Sequence, residues 1–133
     1  MSLGSLNMDN WPFVEITFPA IFNDETYKTH IDNVRAPYKK CMAENSKNSM
    51  VQIFNMEKLA MPAVKYIVLQ AQEIKSINKL SEKYLDRSLI LCPNEITKTL
   101  VKMIFFLDKP VRPCLVFSSK EELKSYLEEN YKN

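Results

Sequence analysis

The sequence predicts one α/β domain on a mostly parallel sheet of four to five strands, with helices alternating between the strands. Three observations carry this. Four short runs of β-branched, aromatic or otherwise apolar residues recur along the chain, and a stretch with apolar residues at helical spacing follows each. The third run, Ser88–Cys92, "SLILC", is apolar at successive positions, as in a strand covered on both faces. The length, 133 residues, is that of one ordinary domain with a core of its own.

Phe13–Phe18, "FVEITF", is the first strand and stops at Pro19. Asn23 then offers a side-chain cap, with Asp24 and Glu25 in the first turn, where the helix dipole favours negative charge. Tyr27, Ile31, Val34 and Tyr38 give this helix its apolar stripe. Pro37 is expected to kink it or end its regular part near Ala36. Residues 44–49, "ENSKNS", read as a loop, and Val51–Phe54 as the second strand. Pro62 suits the first turn of a second helix, where a missing N–H costs nothing. Val64, Ile67, Ala71, Ile74 and Asn78 share one face of it, and Lys65, Gln72, Lys75 and Lys79 lie off that face. No proline or glycine intervenes before Pro93, so the helix is expected to reach Leu80 or Tyr84.

Pro93-Asn94-Glu95 opens the third helix, with Ile96, Leu100, Met103, Ile104 and Leu107 as its buried stripe. Residues 108–113, "DKPVRP", lead to a fourth strand, Cys114–Phe117. Ser118 with Glu121 three residues on reads as a capping box for a last helix anchored by Leu123, Tyr126 and Leu127. Residues 1–10 are expected to be a flexible N-terminus, in part residues added in cloning, and 11–133 the single domain.

Composition excludes several function classes. The net charge of +2, from 18 basic and 16 acidic residues, gives no strong pull on nucleic acid or an anionic membrane. Gly4 is the only glycine, so a glycine-rich phosphate cradle is absent. Cys41, Cys92 and Cys114 are odd in number and lack a CxxC pair, which suggests neither zinc nor a disulfide framework. Reduced thiols in a cytoplasmic protein fit best, with no cofactor. Apolar runs such as Met103–Leu107 are too short to span a bilayer.

In open parallel sheets, ligands collect beyond the carboxyl ends of the strands. Asn55 and Glu57 end the second strand, and Asn94 and Ser118 follow the third and fourth. With Met61, whose adaptable thioether suits apolar surfaces, these five are the candidate ligand- or partner-binding residues. Asn94 and Ser118 read equally well as ordinary caps. Paired-carboxylate chemistry needs a second acid facing Glu57, and none is identifiable. His30, the only histidine, stands beside Thr29 in a polar stretch and reads as an exposed surface residue; no motif supplies it with a nucleophile. Arg87, Lys98, Lys102, Lys109 and Arg112 form a locally basic stretch, but interspersed acids mark it as a solvated face.

The stretch "LDRSLILCPNEITKTLVKMIFFLDKPVRPCLVFSSKEELKSYLEE" resembles the C-terminal half of STAS domains, the SpoIIAA-like anti-sigma-factor-antagonist fold. "FVEITFP" before a capped helix and "VQIFNMEKL" before the Pro62 helix fit its first half, so that the likeness covers about residues 11–130. It implies a non-enzymatic regulatory domain that binds a protein partner through the second helix and the loop from Asn55 to Ala63; a homodimer is a separate expectation. The long middle helix is similar to that of bacterial STAS- or SEC14-like proteins, which implies the alternative of a carrier or sensor of a small apolar, lipid-like ligand. One feature departs from the family. Its switch is a serine before the second helix, where phosphate meets free N–H groups and the helix dipole. The matching positions, about Ala60 to Ala63, bear no hydroxyl, and Val51–Lys75 contains no Ser or Thr.

A serine kinase of the partner-switching type is therefore expected to leave Val51–Lys75 unmodified. Phosphosite mapping by mass spectrometry after incubation with such a kinase checks this, and phosphate inside the segment would contradict it.

Overall fold

A computed structural model describes residues 3–131. β1 (Ser5–Asn7) precedes β2 (Phe13–Thr17). Helix α1 (Asp24–Glu44) leads to β3 (Met50–Asn55), α2 (Val64–Tyr84) to β4 (Leu85–Leu91), and α3 (Glu95–Leu107) to β5 (Cys114–Phe117). Helix α4 (Lys120–Asn130) follows. The five strands form one sheet in chain order, with β1 antiparallel to β2 and every later pair parallel. The predicted α/β class with a mostly parallel sheet is what forms.

Strand order decides where the helices go. Each parallel strand lies beside its predecessor, so crossovers of one hand put every connecting helix on the same face. α1, α2 and α3 accordingly pack together there. Tyr66, Ile67, Leu100, Val101 and Ile104 meet Phe18 and Ile90. Val34, Tyr38 and Cys41 meet Val14, Ile16 and Met50 beside them. The opposite face carries α4, whose Leu123 packs with Val51, Leu89 and Leu91, flanked by Tyr126 and Leu127. β4 is thus covered on both sides, which is why it is continuously apolar.

Several elements differ from expectation. The N-terminal segment expected to be flexible supplies β1, with Ser5 opposite Thr17 and Asn7 opposite Glu15. The open edge of β2 offers unpaired backbone groups, and an extended segment can satisfy them whatever its side chains. Pro37 does not end α1. It lies buried inside the helix, which runs on to Asn45, a left-handed cap at φ 53°. Burial of Val34, Tyr38 and Cys41 around the proline offsets the lost backbone bond. α2 begins at Val64, two residues after Pro62, and reaches Tyr84 as expected.

The buried stripe of α3 is Thr97, Leu100, Val101 and Ile104. Ile96 and Leu107, assigned to the stripe by periodicity, are each 53% exposed, and Met103 is exposed too. Apolar residues occur around most of this helix, so two overlapping stripes fit the spacing. The Asn94 cap, which accepts from Thr97 N at 2.9 Å, helps to settle which one faces inward. The cap of α4 is Ser119, not Ser118: Ser119 Oγ accepts from Glu122 N at 3.1 Å.

Ser119→Ala should therefore cost about 1 kcal/mol, and Ser118→Ala less than about 0.5 kcal/mol. Urea denaturation of both variants checks this. The reverse order would mean that α4 starts one residue earlier.

Candidate functional site

The parallel register aligns Val14, Gln52, Ser88 and Cys114 in one row across β2 to β5. Gln52 and Ser88 are neighbours in the middle of that row, on the face beneath the three helices, and both are buried. A short hydroxymethyl and an amide stand where a packed core would hold branched apolar chains. Above them the helices are polar as well. Tyr38 Oη of α1 lies 2.9 Å from Ser81 Oγ of α2. Arg35 of α1 grips Glu73 of α2 with two bonds, Nε to Oε2 at 2.8 Å and Nη2 to Oε1 at 2.6 Å.

Between this floor and roof lies a cavity of about 110 Å³. Phe54 and Ile90 extend its floor, Ile74 and Ile77 of α2 and Ile104 and Phe105 of α3 close its sides, and its exposed wall is mostly carbon. His30, Gln70, Glu73 and Arg112 are its other polar wall residues of note.

His30 corrects the expectation of a surface histidine, being only 2% exposed. Its ring packs against Phe18 at 4.3 Å and Phe22 at 5.3 Å between centroids. The signal was in the spacing. Thr26, His30, Val34, Pro37, Tyr38 and Cys41 recur at three and four residues and form the buried stripe of α1. The polar look of Thr26 and His30 hid it. Gln70 Nε2 lies 3.0 Å from His30 Nε2. An amide nitrogen can only donate, so this ring nitrogen accepts and the imidazole proton sits on Nδ1. Nδ1 is the buried side-chain nitrogen or oxygen that lacks a hydrogen-bond partner among the described residues. Burial pushes the imidazole pKa down to about 3, so the ring is neutral at pH 7.

The remaining titratable wall groups offer no free charge. Arg35 matches Glu73. Arg112 donates to Leu85 O at 2.9 Å and Asp86 O at 3.1 Å, with Asp86 Oδ1 at 4.0 Å. Burial pushes the Tyr38 hydroxyl and the Cys114 thiol up to about 12, so both stay protonated.

The five residues singled out from sequence lie elsewhere, and none lines the cavity. Asn55 and Glu57 do come together: Asn55 Nδ2 donates to Glu57 Oε1, and Glu57 N donates to Asn55 Oδ1, both at 3.0 Å. Lys120 Nζ sits 3.4 Å from Glu57 Oε1 and supplies its counter-charge. Asn94 spends its side-chain oxygen on the α3 cap. Ser118 is exposed beside the cap, and Met61 is exposed on the loop before α2, whereas Met50 and Met56 fill the core. The strand order never reverses, so the sheet lacks the switch-point crevice that makes strand ends binding sites in doubly wound folds. Among the described residues no group of three or more His, Cys, Asp or Glu could hold a metal ion, and the three cysteines are free. Among the described residues no helix is long and apolar enough to cross a membrane.

His30 also sets an acid limit on stability. Its pKa is about 3 folded against 6.5 for the free side chain, so between those values the unfolded chain binds the extra proton. The contribution is complete above pH 6.5 and is lost as pH falls towards 3, by up to about 1.4 kcal/mol per pH unit. The part of the drop between pH 6.5 and 5 that His30 causes should vanish in His30→Phe when stability is measured by urea denaturation. An equal drop in both proteins would place His30 in solvent.

Comparison with known proteins returned no match: no family model fits the chain, and no curated protein or solved structure resembles it significantly.

Proposed function

We propose that the chain is a non-enzymatic binding domain, a carrier or sensor whose cavity takes a compact, mainly apolar molecule. The observation that carries this is the cavity of about 110 Å³ beneath α1 to α3, walled mostly by carbon. A dry cavity of roughly 150 Å³ is enough to hold benzene, which sets the scale. The occupant is thus small, and a full acyl chain would require the helices to part. Catalysis has little support in the same place. The ring contacts of His30 are aromatic and its hydrogen-bond partner is Gln70, so a nucleophile for it to activate is missing among these neighbours.

A second reading rests on a separate observation. Phe106 is 89% exposed and Val64 70%. With Val68, Met103 and Leu107 they line a shallow apolar groove along α2 and α3. The likeness to SpoIIAA-like domains implies a protein partner on α2, and this groove favours that reading. The two readings share helices and are compatible.

Native mass spectrometry of protein purified under gentle conditions separates them. The cavity reading expects a fraction of the protein to carry an extra small-molecule mass that denaturation releases. Bare protein in every preparation, together with no thermal shift from any member of a library of small apolar compounds, would contradict it and favour the interaction reading.

A further inference from the structure

We infer that the cavity selects a compact neutral alcohol, whose hydroxyl accepts from the Ser88 hydroxyl and donates to the side-chain oxygen of Gln52. This rests on the reading of the cavity as a binding site and adds the chemistry of its occupant. Three observations lead there.

The first is an open polar pair on the floor. Gln52 and Ser88 stand opposite each other on β3 and β4, with backbones roughly 4.8 Å apart, and both line the cavity. Leu89 and Leu91 pack on the α4 face, so alternation along β4 turns Ser88, like Ile90, towards the three helices. The Ser88 N–H donates to Pro113 O at 2.9 Å, but its hydroxyl has no hydrogen-bond partner among the described residues. His30 Nδ1 is the polar side-chain atom there that is both unmet and sealed. The Ser88 hydroxyl, unmet but not sealed, therefore keeps surface on the cavity that the residue lines. Gln52 is oriented by α1. Val34 O lies 3.5 Å away and can only accept, so the amide nitrogen faces it and Oε1 is left for another donor. That oxygen is likewise unmet and unsealed. An alcohol serves both groups at once, because one hydroxyl accepts and donates. A ketone serves Ser88 alone, and a hydrocarbon serves neither.

The second observation is the absence of spare charge. The ionised wall residues, Glu73 and Arg112, are already matched by Arg35 and by Asp86 with two backbone carbonyls. A carboxylate, phosphate or ammonium group would enter without a counter-ion, and a charge buried alone is strongly disfavoured. The third is shape. Phe54, Ile74, Ile77 and Ile90 line the space around the polar pair and reward a compact hydrocarbon body.

The test uses the intact, isotope-labelled protein and five probes of one ring size at pH 7: cyclopentanol, cyclopentanone, methylcyclopentane, cyclopentylammonium and cyclopentanecarboxylate. Binding is followed by chemical shifts of the cavity methyls and of the Gln52 side-chain amide. The expected result is that cyclopentanol binds roughly tenfold more tightly than methylcyclopentane, moves the Gln52 amide resonances, and outcompetes both ions, with cyclopentanone in between. Ser88→Ala removes one oxygen that bonds nothing in the fold, so the variant should stay folded while the preference for alcohol over hydrocarbon falls to within about threefold. Equal affinity of alcohol and hydrocarbon, a ketone that binds as tightly as the alcohol, tighter binding of either ion, or an unchanged preference in Ser88→Ala overturns the inference while leaving the cavity as a binding site. If the variant does not fold, the wild-type series decides, and cyclopentanol binding without a shift at the Gln52 amide counts against the inference. Failure of all five probes to bind overturns the cavity reading itself.

Discussion

Four parallel strands laid down in chain order oblige their three crossover helices to share one face of the sheet, and the rest of the structure follows from that constraint. α1 and α2 have 21 residues each, or about 31 Å of helix. β2, β3 and β4 have 5, 6 and 7 residues, or roughly 17–23 Å of strand. The helices therefore overhang the sheet, which leaves Val64 at the start of α2 and Met42 near the end of α1 exposed. Three helices crowded on one side must also meet one another, and they do so partly through polar side chains. The Arg35–Glu73 pair and the Tyr38–Ser81 bond join α1 to α2 over the centre of the sheet.

Those polar links explain why the shared face is not filled. Thr26, His30, Gln52, Glu73, Ser81, Ser88 and Thr97 are buried on or beside it. Buried polar groups are tolerable when hydrogen-bonded, and leaving one unmet costs about 1–3 kcal/mol. His30 Nδ1 is the exception among the described residues.

The class, the parallel strands, the starts of α1 and α3 and the reach of α2 were legible because each rests on local pattern: β-branched runs, caps at Asn23 and Asn94, and uninterrupted periodicity from Val64 to Tyr84. What was not legible depends on pairing between distant segments. Ser5–Asn7 has no strand pattern of its own and becomes a strand through the open edge of β2. Pro37 reads locally as a stop, and only the packing of the residues around it keeps α1 whole. The stripe of α3 was ambiguous because the helix is apolar on too many sides. The cavity was hidden for a related reason. Gln52 and Ser88 are far apart in sequence, and the register that makes them neighbours cannot be read from either strand alone. His30 was the one site residue with a usable signal, its place in the Thr26–Val34–Tyr38 stripe. The strand-end residues Asn55, Glu57, Met61, Asn94 and Ser118 followed from a rule for sheets whose strand order reverses, and this order does not reverse.

The central claim is that a neutral imidazole, protonated on Nδ1, is sealed between the helices and the sheet. Long-range proton–nitrogen correlation spectra of the imidazole, recorded on the ligand-free protein from pH 7 to pH 4.5, test it directly, because His30 is the only histidine. The account predicts one neutral tautomer throughout, with the proton on Nδ1 and an unprotonated Nε2 accepting from Gln70. Conversion to imidazolium near pH 6.5, or a proton resident on Nε2, would contradict it.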